Sequence, residues 1–237
     1  MKRELLLSGL EQIGQNITEK QIEQFQIYSD LLVEWNQKMN LTAITEADEI
    51  TIKHFLDSIL LFNAIEIAEN ARMIDIGTGA GFPGIPVKIM REDISLTLMD
   101  SLQKRIRFLQ EVGSQIFLQK TEYIHARAEE AGRLSDYRQQ YDIAVSRAVA
   151  DMEILCEYCL PFVKVGGIFA ALKSYGSSEE TERAKPMIGN LGGEIQEIKN
   201  INLPNTEIIR SFVIIKKKRE TPPQFPRNAK KINKKRG

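Results

Sequence analysis

The sequence predicts an α/β chain, with seven strands in a mostly parallel sheet, an antiparallel terminal hairpin and a helical N-terminal part. Three observations predict it. From residue 72 onward, short β-rich runs alternate with helical stretches, the pattern of a doubly wound sheet. The last two runs are separated only by LPNTE, too short for a crossover helix, so they pair as a hairpin. Before residue 66, apolar residues recur at helical spacing.

In the helical part, Thr18 and Gln21 form a capping-box pattern, followed by Ile22, Phe25, Leu32, Trp35 and Met39 on one face. A second helix is expected from about Thr45, with Ile50, Phe55, Ile59 and Phe62 on one face. His54, Asp57 and Ser58 fall on a neighbouring face at i, i+3 and i+4, which is expected to help shape the pocket for the substrate. The expected strands are 72–77, 95–100, 122–128, 141–147, 166–173, 193–203 and 208–216. Pro186 sits inside the last helical stretch and is expected to kink or split it. The organisation read from this is a helical cap at 1–65, an α/β domain at 66–215 and a basic tail at 216–237.

A chain of 237 residues suits one large domain with a small appended part. No run approaches the roughly 18 apolar residues of a membrane span, and the N-terminus lacks the apolar core of an export signal. A cytoplasmic location, with no membrane contact, is therefore expected. Cys156 and Cys159 form a lone CxxC in an amphipathic helix, with His54 and His125 distant in sequence. They share a helix face and are read as core residues, and no metal is expected. The zero net charge hides an asymmetry. Residues 216–237 hold ten Lys and Arg against one Glu, while the other 215 residues hold 22 basic and 31 acidic ones. A basic tail on an acidic body suits nucleic-acid contact, with Arg227, Lys230 and Lys231 as candidates.

The stretch DIGTGAGFPGIP (75–86) follows the first strand, at the strand end where open parallel sheets bind ligands. Its glycines admit two spacings. Gly79, Gly81 and Gly84 fit the G-x-G-x-x-G of dinucleotide enzymes, which would make the chain an NAD-dependent oxidoreductase. Asp75 with Gly77, Gly79 and Gly81 fits the D-x-G-x-G-x-G of S-adenosyl-L-methionine enzymes. Asp75 favours the second, because a carboxylate complements the ammonium of the methionine end and repels a pyrophosphate. Asp100 ends the second strand, where it can take ribose hydroxyls. Ala128 and Glu129 follow the third strand, where the adenine edge would be read. The expected fold is thus the class I S-adenosylmethionine-dependent methyltransferase (Rossmann-like) fold.

Arg147 and Lys173 end the fourth and fifth strands. Two cations facing the crevice suit a polyanionic substrate, and both are catalytic candidates. The acceptor is narrowed by what is missing. An exocyclic amine calls for [ND]PP[YF], which is absent; a pyrimidine C5 needs a cysteine at a strand-end loop, whereas both cysteines lie in a helix. A purine N7 is nucleophilic through its own lone pair and needs no general base.

WNQKMNLTAI (35–44), KHFLDSILL (53–61), DIGTGAGFPGIPVKI (75–89), DSLQKRIRFL (100–109), ARAEE (126–130) and SRAVA (146–150) together resemble the ribosomal RNA small subunit methyltransferase G family, also called glucose-inhibited division protein B. The resemblance covers nearly the whole chain in order. It implies methylation of N7 of one guanine in the decoding-region loop of 16S rRNA, with 16S rRNA or the small ribosomal subunit as partner. It also implies cofactor contacts at Gly77, Phe82, Ala128, Glu129 and Arg147, of which Phe82 comes from the resemblance alone. The tail, FPRNAKKINKKRG, departs from the family's usual YPRK followed by Gly and Pro. A monomer is expected. The rivals are the NAD enzyme and an inactive RNA-binding module on the same fold.

Overall fold

The computed structural model describes residues 1–147 and 150–233; Ala148 and Val149 of the SRAVA motif and the last four residues of the basic tail lie outside the described residues. The chain opens with α1 (Arg3–Gln12) and α2 (Glu19–Met39). The Thr18 capping box forms, with the Gln21 side chain accepting from the Thr18 N–H at 2.9 Å while Thr18 Oγ1 accepts from the Gln21 N–H at 3.3 Å. Next, α3 (Ala47–Ile50) runs directly into a wider π-helical stretch, Thr51–Leu56, and on through α4 (Asp57–Ile59) to α5 (Leu61–Ala64). Such π segments re-aim side chains, and this one carries His54 into the site described below.

The seven strands are β1 (Arg72–Ile76), β2 (Ser95–Asp100), β3 (Thr121–His125), β4 (Tyr141–Arg147), β5 (Val163–Ser174), β6 (Gly193–Asn202) and β7 (Ile209–Lys217). They form one sheet in the order β3-β2-β1-β4-β5-β7-β6. The first five are parallel, and β7 enters antiparallel between β5 and β6. In parallel strands buried on both faces, alternate residues feed two cores. Met73, Ile143, Val145, Phe212 and Ile214 face one core; Ile74, Ala144, Val213 and Ile215 face the other.

The first core also holds Phe25, Tyr28 and Phe55 from the N-terminal helices, with Ile85 of α6 (Gly84–Met90) and Phe108 of α7 (Gln103–Gln115). Each fully enclosed phenylalanine contributes about 2 kcal/mol from burial, so the cap and this sheet face are held together by one continuous apolar interior. The second core lies under α9 (Met152–Cys159) and α10 (Ser178–Asn190), and it encloses both cysteines.

Two expectations change here. Pro186 does not split its helix: α10 continues through it to Asn190. One helical hydrogen bond is lost, but Ala184, Met187 and Ile188 around it are buried in the second core and hold the turn. The expected tail boundary at 216 falls inside β7, which runs to Lys217. The Lys217 ammonium is buried, donating to the Leu160 carbonyl at 2.7 Å, the Leu191 carbonyl at 3.0 Å and the Thr221 hydroxyl. Burial lowers its pKa to about 7. Beyond it, Arg138 donates to the carbonyls of Thr221, Pro222 and Phe225, and Arg133 to those of Gln224 and Pro226. The start of the tail is therefore packed chain. Its carbonyls are satisfied by arginines of the body.

Candidate active site

The glycine loop leaves β1 at the carboxyl edge of the sheet. The N–H groups of Gly77 and Thr78 both donate to the Met99 carbonyl of β2, which starts the turn. Gly77, Gly79 and Gly81 have φ of 68°, 62° and 101°. At Gly81 a Cβ would come within 2.7 Å of both Ile85 and the Tyr28 hydroxyl, so only glycine fits. Gly79 is different: its nearest neighbour on that side is the Gly77 carbonyl at 4.0 Å, so its open face gives onto a cleft. From α2, the buried Tyr28 hydroxyl donates to the Ala80 carbonyl and pins the loop from behind.

Asp75 was expected to face the cofactor's ammonium. It is instead fully enclosed. Its Oδ2 accepts from the Thr78 hydroxyl at 2.7 Å and from the Gly84 N–H at 2.8 Å, while Oδ1 has no partner among the described residues. Alternation along β1 turns residue 75 toward α6, not toward the strand tip. Burial pushes the Asp75 carboxyl up to about 6, against the pull of those two hydrogen bonds. The carboxylate thus shapes the loop and caps α6 from inside. It also occupies the helix-start N–H that a dinucleotide's pyrophosphate would need. Gly84 is there for packing, since a Cβ would lie 2.6 Å from Leu98 and 2.9 Å from Asp75.

Two adjoining clefts flank the loop and share Gly77, Asp100 and Ser101. One, of about 550 Å³, is lined by Ile76, Met99, Ala126, Ala128, Glu129 and Tyr158. The other, of about 880 Å³, is lined by Thr42, His54, Gly79, Phe82, Arg105 and Arg147 among others. Asp100 stands between them, with Oδ1 accepting from the Leu102 N–H and Oδ2 from the Gly79 N–H and Arg105. A carboxylate has about four acceptor positions, so one stays open for a hydroxyl. Glu129, at the start of the short helix α8 (Ala128–Ala131), is nearly enclosed with its charge 3.9 Å from Arg127.

Arg147, at the tip of β4, ties the cap to the sheet. It donates to Asp57 Oδ2 at 2.8 Å and to the Lys53 carbonyl at 3.2 Å, and it lies 3.3 Å from His54 Nδ1. Its guanidinium also lies 4.9 Å over the Phe82 ring, which stacks on His54 at 4.3 Å. Arg210 of β7 donates through Nε to Asp57 Oδ1 at 2.5 Å, so one buried carboxylate serves two guanidiniums. Burial, reinforced by the Arg147 charge, lowers the His54 pKa to about 3. Its imidazole is neutral and engaged at both nitrogens, Nε2 lying 2.9 Å from the Thr42 hydroxyl.

His54, Asp57, Arg147, Lys173 and Arg210 border a third pocket of about 680 Å³, joined to the second cleft through His54 and Arg147. Ser58 was expected on this face. It is fully buried and donates to the His54 carbonyl at 2.6 Å, because the helix turns it inward. Lys173 reaches the pocket but is paired with Glu180 at 2.7 Å. Arg227 was expected to meet RNA; instead it forms a bidentate pair with Glu157, whose side chain is fully buried. Burial of that carboxylate demands a counter-ion, and the tail supplies it. Lys230 and Lys231, on the short terminal helix α11 (Ala229–Asn233), stay exposed.

Sequence reasoning missed Tyr28 and Arg210. Tyr28 lies on the same helix as Phe25 and Leu32, and nothing in its spacing sets it apart from them. Arg210 comes 153 residues after Asp57, and only the antiparallel placement of β7 beside β5 brings them together.

The open face of Gly79, the free acceptor of Asp100 and the apolar walls of Ile76, Met99 and Ala128 fit an adenosine carried on a short charged chain. Fold and site define a class I S-adenosyl-L-methionine-dependent methyltransferase. Solved structures agree on the fold. A SAM dependent methyltransferase from Aquifex aeolicus matches at TM-score 0.53 and 12% identity, over 72% of this chain and 93% of that one. M. jannaschii TYW2 in complex with AdoMet matches at TM-score 0.51 and 15% identity, over 67% and 74%. A family model described as rRNA small subunit methyltransferase G matches residues 21–209. The Ribosomal RNA small subunit methyltransferase G of Acetivibrio thermocellus is 50% identical over 98% of this chain and 95% of its own length. That of Alkaliphilus metalliredigens is 47% identical over 94% and 93%. The chain belongs to the rRNA small subunit methyltransferase G family. The NAD-dependent oxidoreductase falls away, since the G-x-G-x-x-G spacing is built for packing at Gly84.

Proposed function

We propose that this protein methylates N7 of one guanine in the decoding-region loop of 16S rRNA, with S-adenosyl-L-methionine as donor. The observation that carries this is the continuity of the site: the glycine-loop clefts open through Arg147 and His54 into a pocket bordered by cations. When bound, the cofactor supplies a methyl on a sulfonium, open to in-line attack by a lone pair.

The chain's own part is positioning and exclusion of water. Gly77 and Gly79 let the backbone approach the donor closely, and Asp100 orients it through a hydroxyl. Phe82, stacked on His54 and 4.9 Å from the Arg147 guanidinium, walls the second cleft beside the two residues it shares with the pocket. An N7 acceptor suits the absence of a poised base there among the described residues: His54 is neutral and doubly engaged, and Asp57 is held by two arginines. Cys156 and Cys159 are enclosed, with thiol pKa values raised by burial, which does not suit covalent catalysis at a pyrimidine. Lys230 and Lys231 extend the contact to the RNA backbone. The protein acts as a cytoplasmic monomer on 16S rRNA or the small subunit.

Incubation with labelled S-adenosyl-L-methionine and either naked 16S rRNA or small subunits tests this. Label in the RNA supports it. Donor binding without transfer to either form would leave the inactive RNA-binding module as the better description.

A further inference from the structure

We propose that the pocket beyond Arg147 is a nucleotide subsite: it takes the phosphodiester and base next to the methylated guanosine, with Arg210 gripping the phosphate and Tyr175 stacking on the base. This rests on the proposed methylation of RNA.

The pocket's roughly 680 Å³, which includes space open to solvent, is more than a lone phosphate fills. Ile44 and Leu172 supply apolar wall, and four cations, Lys53, Arg147, Lys173 and Arg210, border it against the single carboxylate of Asp57. Three of those cations are already occupied. Lys53 pairs with Glu49, Lys173 with Glu180, and Arg147 with Asp57, the Lys53 carbonyl and His54. Arg210 differs. Asp57 holds only its Nε, and both terminal nitrogens have no hydrogen-bond partner among the described residues. A guanidinium fixed at one edge, with a free pair of donors at the other, matches the two oxygens of a phosphodiester.

The rim adds a second chemistry. β5 delivers Lys173 and Ser174 to the pocket, and the next residue, Tyr175, is 65% exposed. The turn continues through Gly176 at φ 89°. The register pairs Ser174 with Arg210, so the exposed Tyr175 comes one residue beyond that pair; an exposed aromatic next to phosphate donors is what single-stranded RNA recognition uses, because any unstacked base can lie on it.

The test uses the full chain, saturating donor, and small ribosomal subunits lacking the modification as the probe. Tyr175→Ala is expected to raise KM for the RNA about tenfold and to leave KM for S-adenosyl-L-methionine within twofold. Tyr175→Phe, which keeps the ring, is expected to restore the wild-type KM. Arg210→Gln is expected to raise the same KM and to lower the salt slope of RNA binding by about one. Tyr175 is exposed, so its variants report on contact and not on folding, which equal melting temperatures verify. A Tyr175→Ala enzyme with wild-type KM for RNA overturns the subsite, as does equal impairment of Tyr175→Phe. A wild-type enzyme that methylates no RNA sinks the proposed function itself, a different result from a loss confined to the variants.

Discussion

Asp57 Oδ2 accepts a hydrogen bond from Arg147 Nη1 at 2.8 Å, joining the helical cap to the tip of the central strand β4. The pair is nearly buried, and the other oxygen of Asp57 holds Arg210. Asp57→Ala would leave two partly buried guanidiniums without their shared anion. Breaking a buried pair from one side costs about 3 to 5 kcal/mol. Urea unfolding should show a loss on that scale for Asp57→Ala, while Asp57→Asn, which keeps an acceptor, should lose less.

Gly79 separates cofactor binding from folding. A Cβ there meets no protein atom closer than the Gly77 carbonyl at 4.0 Å, so Gly79→Ala projects into the cleft. The positive φ costs about 1 kcal/mol, or about 2 to 4 °C in Tm for a chain of this size. Calorimetry should show at least a tenfold loss in affinity for S-adenosyl-L-methionine. Wild-type affinity in this variant would remove the donor from the open face of the loop.

The tail divides into two physical roles. Arg227→Ala strands the buried Glu157 carboxylate and should destabilise by about 3 kcal/mol, visible as a Tm lowered by about 10 °C. Replacing Lys230 and Lys231 together by Ala should leave Tm unchanged. It should instead reduce the salt slope of RNA binding by about 1.5, as two phosphate contacts are lost.

Much of this was legible in the sequence. β2 and β4 fall where alternation with helices put them, and the Thr18–Gln21 box forms. Period and capping are local properties. Less was legible about where charges end up. Asp75 at the head of the glycines looked like a ligand for the ammonium, yet strand alternation turns it toward α6. Arg227 looked like part of a solvated tail, yet Glu157, in an apolar helix 70 residues earlier, draws it in. Pairing of a buried charge depends on tertiary neighbours that no spacing rule records.

Asp75 also sets a pH dependence. Its carboxyl rises from 3.8 to about 6 through burial, so the native state holds this proton more tightly than the unfolded chain. The contribution to stability is full below pH 4 and is lost as pH rises through 6. The loss is on the order of 3 kcal/mol. Asp75→Asn can still accept from Thr78 and Gly84. It should therefore fold, and its unfolding free energy should lack that decline between pH 4 and 6.5.

Mapping the transferred methyl tests the central claim most directly. Small subunits are methylated by the purified protein, and their 16S rRNA is then cleaved by borohydride and aniline, which break the chain at N7-methylguanosine. One new scission, at a guanine in the decoding-region loop and dependent on S-adenosyl-L-methionine, is the predicted result. Methyl incorporated without that scission, or no incorporation at all, would contradict it.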